Sequence, residues 1–232
     1  MKNILLLGAT GSIGDSVLSV IAQNQQSLNL YAITLDSNTS KVKDISEAFT
    51  PEYIHINNEK SFNKIKEDNQ INSKVLNGSP DLNALINDDN IDIIVSAITG
   101  FAGLEATAIA SKTGKIILLA NKESIVAAGE LILLSAESSG TTIIPIDSEH
   151  NAIFQCLAGE KNTDDVSKII ITASGGPFLN KSLSSLKGVT KEQALKHPNW
   201  SMGSKISIDS ATLVNKCLEL IEAKYLFGLD ER

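Results

Sequence analysis

Seven short apolar runs, rich in leucine and β-branched residues, recur through the first 146 residues of the chain. They read NILLL, LNLYAITL, EYIHI, KVL, IDIIVSAI, KIILLA and TTIIPI. Such runs, apolar without alternation, are typical of strands buried on both faces, and segments with helical spacing separate several of them. The order predicts a doubly wound α/β domain, in which helices cover both faces of a parallel sheet.

The pattern changes after Ile146, which predicts a domain boundary near residue 150, between regions 1–150 and 151–232. In the first region, helical spacing is clearest at Ser12 to Gln23, Asn58 to Lys66 and Phe101 to Ser111. The second region is expected to be α+β. Its predicted elements are a helix from Ser148 to about Leu157, a strand from Ser167 to Ala173, loops from Ser174 to Lys187, and a long amphipathic helix from about Ser210 to Phe227.

Composition excludes two classes of partner. The net charge is -7 and the lysines are scattered, so the basic stripe of a nucleic-acid-binding protein is missing. No run approaches the roughly 20 apolar residues that a membrane-spanning helix needs. Cys156 and Cys217 form no C-x-x-C pair and fall on helical segments, so we expect reduced, buried thiols in a cytoplasmic protein.

A glycine-rich turn, GATGSIG at Gly8 to Gly14, follows the first apolar run and opens a helix. Glycines allow the backbone to approach a pyrophosphate, whose charge the N–H groups at a helix N-terminus would bind. The hydroxyls of Thr10 and Ser12 add donors. A tight turn without a ligand is the alternative, but the position at the first strand-helix junction favours a dinucleotide-binding domain over residues 1–150.

The residues after the second run bear on the choice of nicotinamide cofactor. Asp36 lies 22 residues after Gly14, where an acidic residue binds a ribose 2′-hydroxyl and repels a 2′-phosphate, which favours NAD. Ser37, Asn38 and Lys41 could hold a 2′-phosphate if Asp36 turned away. Asp36 could also merely begin the next helix, so these alternatives stay open.

Charged and polar side chains follow the sixth and seventh runs directly. LLANKES ends with Asn121, Lys122 and Glu123, and IPIDSEHN continues into Asp147, Ser148 and Glu149. The carboxyl ends of parallel strands form the ligand crevice of an open sheet, so we expect both clusters to face it.

Three carboxylates have the character of a metal site. Asp147, Glu149 and Glu219 offer the oxygen ligands that hard divalent cations prefer, and carboxylates gathered without a cation would repel one another. Asn215 and Lys216 share a helix face with Glu219 because they lie four and three residues before it. The alternative is that Asp147 caps the helix that starts at Ser148 and Glu149 lies in its first turn.

Two further segments predict anion binding and a lid. Ser174, in ASGGPF, can present a hydroxyl beside glycine N–H groups, although a plain turn would use the same glycines. Ser210 is expected at the start of the long helix, where a phosphate binds well. The segment KHPNWSMGSK contains His197 and Trp200, and a tryptophan on such a loop predicts a lid that excludes water.

Of the other histidines, His55 is interpreted as a strand residue without function, and His150 as a support for its neighbours.

Six motifs together resemble the 1-deoxy-D-xylulose-5-phosphate reductoisomerase family of the non-mevalonate isoprenoid pathway. They are GATGSIG, LLANKES, IPIDSEHNAIFQ, ASGGPF, HPNWSMGSKISIDSATLVNK and LELIEA, and they occur in order across the whole chain. The resemblance implies a homodimeric enzyme that needs NADPH and Mg²⁺, Mn²⁺ or Co²⁺. It implies rearrangement of the sugar phosphate to an aldehyde, followed by reduction to 2-C-methyl-D-erythritol 4-phosphate.

The resemblance also implies roles for individual residues. The metal ligands would be Asp147, Glu149 and Glu219, and contacts to the reacting part of the sugar would come from Lys122 and Ser148. Phosphate would be bound by Ser174, His197, Ser210, Asn215 and Lys216, with Trp200 as the lid. Cofactor contacts would come from Thr10, Gly11, Ser12, Ile13, Asn121, Glu123 and Gly203.

The sequence departs from the family in two respects. It has Leu35-Asp36-Ser37 where the family usually shows small or basic residues, and Arg232 is its sole arginine. Family members also run considerably further, so we expect a fragment with weak or no turnover. Two alternatives remain: an NAD-dependent semialdehyde or homoserine-type dehydrogenase, and a catalytically silent dinucleotide-binding fragment.

Overall fold

The computed structural model describes residues 1–159, 166–197 and 203–229. The chain divides into two compact units, Met1–Asp147 and Ser148–Arg232. In the described residues, no helix is both long and apolar enough to cross a membrane.

The first unit is built on a seven-stranded sheet in the order β4-β3-β2-β1-β5-β6-β7, and every neighbouring pair is parallel. The strands are β1 (Lys2–Leu7), β2 (Leu28–Leu35), β3 (Tyr53–Ile56), β4 (Lys74–Leu76), β5 (Ile93–Ser96), β6 (Ile116–Leu119) and β7 (Thr142–Pro145). Each predicted run forms a strand, so the predicted α/β fold is confirmed. Burial on both faces explains the unbroken apolar character, since Leu5, Leu6 and Leu7 are all fully buried.

Six α-helices connect these strands and cover the sheet. They are α1 (Ser12–Gln23), α2 (Val42–Phe49), α3 (Glu59–Lys66), α4 (Ser79–Ile86), α5 (Leu104–Ala110) and α6 (Lys122–Ser139), with a short 3-10 helix at Gly100–Gly103 before α5. The three helices expected in this region are present. The helix expected from Phe101 begins as the 3-10 turn and becomes α-helical at Leu104.

The chain reverses its direction of travel across the sheet at β1, which lies between β2 and β5. Such a switch point opens a crevice at the carboxyl ends of the two central strands. Gly8 ends β1 there with φ 86°, and a Cβ at this position would lie 2.8 Å from the Ala97 carbonyl oxygen after β5. A Cβ on Gly14 would lie 2.3 Å from the Ala9 carbonyl oxygen. The turn therefore requires glycine at both positions.

The second unit is helical in its described residues. Its elements are α7 (Ser148–Cys156), a 3-10 helix (Leu183–Leu186), α8 (Lys191–Ala194), α9 (Ser204–Ala211) and α10 (Val214–Phe227). The helix expected from Ser148 is confirmed, but the strand expected from Ser167 to Ala173 is not formed. A strand needs a neighbour for its N–H and C=O groups, and no described segment pairs with this one.

The long helix expected from Ser210 to Phe227 is interrupted. Leu213 adopts φ 62°, a left-handed conformation that separates α9 from α10. Ser210 therefore lies near the end of α9, and the prediction that it starts the long helix is wrong. The expectation of buried thiols is also wrong, because Cys156 in α7 and Cys217 in α10 are free and exposed.

Candidate functional site

The glycine-rich turn leaves the N-terminus of α1 without a side-chain cap. Gly11 is the N-cap residue and makes no side-chain hydrogen bond to the first turn, while its own N–H donates to the Gly8 carbonyl at 3.2 Å. Thr10 is half-buried, and Ser12 and Ile13 are exposed. An uncapped first turn beside a switch-point crevice suits the pyrophosphate of a dinucleotide.

The residues after β2 are held by local contacts. The Asp36 carboxylate accepts a hydrogen bond from Asn57 Nδ2 at 3.0 Å, so this side chain is already directed at the neighbouring strand end. Ser37 and Asn38 are exposed. Lys41 forms an ion pair with Asp15, its Nζ lying 2.6 Å from Oδ1. A 2′-phosphate would therefore meet Ser37 and Asn38 more directly than Lys41.

Asn121 connects the ends of β5 and β6. It caps α6 by accepting a hydrogen bond from the Ser124 N–H at 2.9 Å, and its amide donates to the carbonyls of Ile98 at 2.5 Å and Gly100 at 2.8 Å. Asn121 Nδ2 also lies 3.4 Å from Glu123 Oε2. This buried amide therefore holds the segment after β5 against the start of α6, and the cofactor contact implied by the resemblance stays a prediction.

Lys122 begins α6 and is almost fully buried, and its Nζ lies 2.6 Å from Asp147 Oδ2. Asp147 follows β7 and is the last residue of the first unit. The sequence placed these two groups at the ends of adjacent strands, and β6 and β7 are indeed neighbours. The pair brings one expected substrate contact and one expected metal ligand together.

In the second unit, Lys216 lies between two expected metal ligands. Its ammonium is 2.9 Å from Glu149 Oε1, forms a short ion pair with Glu219, and donates to the Thr172 carbonyl at 2.5 Å. Asn215 donates to the other Glu219 oxygen at 2.5 Å. The shared helix face of Asn215, Lys216 and Glu219 is therefore present in the structure.

The electrostatic environment of Lys216 is dominated by these acids. Desolvation by burial lowers the pKa of its ammonium, but the hydrogen bonds and charges of Glu219 and Glu149 outweigh that effect and raise the pKa above its usual value. The ammonium is thus firmly protonated. It neutralises carboxylates that would otherwise repel each other across the α7 and α10 helices.

A small polar pocket opens beside Lys216. Its walls come from the ASGG segment, the end of α9 and the start of α10, with lining residues Glu149, Ala173, Ser174, Gly175, Ser210, Leu213, Asn215 and Lys216. Ser174 Oγ is 2.9 Å from His197 Nε2 and accepts from the Gly176 N–H at 3.2 Å. The pocket therefore collects hydroxyl, amide and ammonium groups, which are the donors that an anion needs.

Three carboxylates complete the arrangement. Asp147, Glu149 and Glu219 each offer an oxygen, and these oxygens lie within 4.8 Å of one another. Asp147 and Glu149 are two residues apart at the start of α7, and Glu219 comes from α10. Ser148, between the first two, is exposed and donates to Glu149 Oε2 at 2.6 Å.

Two remaining expectations differ in their outcome. Trp200, the expected lid, lies outside the described residues. Gly203 is the exposed N-cap residue of α9 and, as a glycine, has no side chain to make a contact.

Sequence reasoning also overlooked Glu222, which is almost completely buried against His150. Its spacing of three residues after Glu219 was the available signal, because residues three apart share a helix face.

Family comparison places the chain in a known group. The model described as 1-deoxy-D-xylulose 5-phosphate reductoisomerase matches residues 4–129, and that of the family's C-terminal domain matches residues 143–227. The chain belongs to this family. The reductoisomerase from Clostridium tetani is 49% identical over 99% of the chain, and that from Shewanella frigidimarina is 45% identical over 98%. The chain spans about 60% of the length of each of these relatives.

Solved reductoisomerases share the fold over nearly the whole chain. A crystal structure of DOX-P reductoisomerase in complex with NADPH, fosmidomycin and magnesium matches 100% of the chain at 42% identity and a TM-score of 0.93, over 59% of that protein. The Zymomonas mobilis enzyme in complex with NADPH matches 99% of the chain at 42% identity and a TM-score of 0.88. It too is covered over 59% of its length.

Asn121 provides a test of how the segment after β5 is held against the start of α6. Asn121→Ala removes the cap of α6 and leaves two carbonyls without their donor, so we expect a loss of about 2–3 kcal/mol in unfolding free energy. Asn121→Ser keeps a capping hydroxyl and should lose less. Urea denaturation of the three chains measures the difference, and an Asn121→Ser chain as stable as the wild type would show that the amide contacts contribute nothing.

Proposed function

We propose that this chain carries the nucleotide-binding and metal-binding parts of a 1-deoxy-D-xylulose 5-phosphate reductoisomerase. In the proposed reaction, the sugar phosphate is isomerised and reduced with NADPH to 2-C-methyl-D-erythritol 4-phosphate. The observation that carries the proposal is the convergence of the Asp147, Glu149 and Glu219 carboxylates within 4.8 Å. Family membership supplies the substrate, since geometry alone identifies only an acidic site beside an anion pocket.

The donor set fits a hard divalent cation. Three carboxylates offer oxygen ligands, and Mg²⁺ is commonly held by such groups together with waters and substrate oxygens. Magnesium is named in the complexes of the related enzyme, and we extend it to this chain, with Mn²⁺ or Co²⁺ as possible substitutes. When bound, the cation supplies Lewis acidity to the substrate's carbonyl and hydroxyl oxygens.

Lys216 has two roles in the proposed site that it cannot fill at once. Its ammonium binds Glu149 and Glu219 in this structure, and it also lines the anion pocket. Because a cation at the carboxylates would replace the charge that Lys216 now provides, the ammonium would become available to the substrate phosphate. Lys122 stands in the same relation to Asp147 and would face the reacting part of the sugar.

The phosphate would be held by groups of the second unit. Ser174 and Ser210 line the pocket, and His197 orients the Ser174 hydroxyl across 2.9 Å. Gly176 allows the segment to pack closely, since a Cβ there would lie 2.8 Å from the Ser210 carbonyl oxygen. This contact supports a phosphate role for Ser210 that depends on proximity to the ASGG segment and not on a helix start.

NADPH is the proposed reductant, with its pyrophosphate at the uncapped N-terminus of α1. Related enzymes crystallised with NADPH support this choice, as does the exposure of Ser37 and Asn38 after β2. When bound, NADPH supplies the hydride for the reduction. A homodimer in the cytoplasm is part of the proposal, and free, exposed cysteines are consistent with a reducing compartment.

The metal site is tested by Mn²⁺ binding to the purified chain. Asp147→Asn and Glu219→Gln each remove one charged ligand, so we expect the dissociation constant, measured from free Mn²⁺ by electron paramagnetic resonance, to rise at least about tenfold. Glu137→Gln, on the exposed side of α6, is the matched control and should leave the constant unchanged. Undiminished affinity in both ligand variants would refute the site.

Cofactor choice is tested at Asp36. A carboxylate at this position opposes a 2′-phosphate, so Asp36→Asn and Asp36→Gly should tighten NADPH binding about three- to tenfold at low ionic strength. Asp36→Asn removes the charge and keeps a side chain that can reach Asn57. Comparison with Asp36→Gly therefore separates the effect of the charge on NADPH affinity from the effect of the side chain's size. Calorimetric titration with NADPH and NADH measures the constants, and tighter binding of NADH by the wild-type chain would contradict the proposal.

A further inference from the structure

A buried acid-histidine pair lies directly behind the carboxylate site. His150 is completely buried and Glu222 is 1% exposed, and Glu222 Oε2 lies 3.2 Å from His150 Nδ1. Neither residue offers an oxygen or nitrogen to the group formed by Asp147, Glu149 and Glu219. The pair therefore needs a different explanation from metal ligation.

The His150 ring contacts α10 at three places. Its Nε2 is 2.9 Å from the backbone carbonyl of Glu219, and because a carbonyl only accepts, Nε2 is the donor and carries a proton. Its Nδ1 faces Glu222, and its ring stacks on Phe227 with centroids 6.4 Å apart. The ring thus lies along one face of α10, beside the residue that supplies a metal-binding carboxylate.

His150 lies next to one metal-binding carboxylate in sequence and contacts the backbone of another. His150 directly follows Glu149 on α7, and the carbonyl that it binds belongs to Glu219 on α10. One imidazole therefore joins the two helices at the residues that carry two of the three carboxylates.

Burial of such a pair is costly, and replacement of buried ion pairs by apolar residues is often neutral or stabilising. Packing alone therefore does not explain Glu222. Side chains that do not touch the ion but contact a neighbouring group, and so fix its tautomer and ring orientation, are a recurrent feature of metal sites, where their loss weakens metal binding.

We propose that Glu222 is a positioning residue for the metal site. It holds His150 with Nε2 directed at the Glu219 carbonyl, and this arrangement sets the distance between the Glu149 and Glu219 carboxylates. The inference rests on the proposed function, because it assumes that those carboxylates bind a cation. In this proposal, Glu222 affects the cation only through the His150 side chain.

The first test is Mn²⁺ binding by the whole chain with Glu222→Gln. This variant keeps the size of the side chain and replaces the carboxylate that faces His150 Nδ1, so the dissociation constant should rise about tenfold or more. Glu137→Gln, exposed on α6, is the control. Circular dichroism establishes that both variants are folded. A folded Glu222→Gln chain that binds Mn²⁺ as tightly as the wild type overturns the proposal.

A double-mutant cycle separates positioning from direct ligation. If Glu222 acts through His150, the double variant His150→Gln/Glu222→Gln should bind Mn²⁺ no more weakly than His150→Gln alone. Additive losses would show that Glu222 contacts the ion itself and would overturn the proposal. The Mn²⁺ titration of the wild-type chain tests the proposed function separately. A wild-type chain that binds no Mn²⁺ would refute the metal site itself, whereas the variants test only whether Glu222 acts through His150.

A measurement on the wild-type chain covers the case in which Glu222→Gln does not fold. The chain has three histidines, so ¹⁵N spectra of the imidazole groups can be assigned with few variants. We expect His150 Nε2 to carry a proton that exchanges slowly with solvent. A rapidly exchanging or unprotonated Nε2 would show that the ring is not held against the Glu219 carbonyl, and would overturn the proposal.

Discussion

Repulsion among gathered carboxylates is the constraint on which the candidate site depends. At a separation of 4.8 Å, two such charges repel each other by about 3 kcal/mol if the effective dielectric constant is about 20. A chain that brings three together must supply positive charge. Lys122 and Lys216 supply it in this structure, each in close contact with one or two of the acids. The same lysines are the groups that the proposed substrate would need, so carboxylate charge and substrate binding are linked through them.

The fold places these groups by simple means. Parallel strands end at one edge of the sheet, which is why Asn121, Lys122 and Asp147 follow neighbouring strands and lie at the same edge. The second unit contributes by helix periodicity, because Asn215, Lys216 and Glu219 share a face of α10. His150 and Glu222 then fix α7 against α10. Strand ends, helix periodicity and the packing of α7 on α10 thus each restrict where a charged side chain can point.

Much of this arrangement could be predicted from the sequence. Apolar runs identified the strands of the first unit, because burial on both faces leaves few polar positions. Strand ends and helix spacing are local rules, so they placed Asp147 beside Glu149 and Asn215 and Lys216 beside Glu219, whereas the grouping of Glu219 with Asp147 and Glu149 rested on the chemistry of metal ligands and on the family resemblance. The break at Leu213 could not be predicted, because a leucine at φ 62° has no local signature. The failed strand from Ser167 to Ala173 shows the same limit, since strand formation depends on a partner elsewhere in the chain. Glu222 was overlooked because its role comes from contact with a residue distant in sequence.

The proposed function depends on one divalent cation shared by Asp147, Glu149 and Glu219. The most direct measurement is anomalous scattering from crystals of this chain soaked in Mn²⁺. We expect one strong peak within bonding distance of an oxygen of each of the three carboxylates, with Lys216 Nζ displaced from Glu149 and Glu219. A fully soaked crystal with no peak there, or with a peak bound to other residues alone, would contradict it.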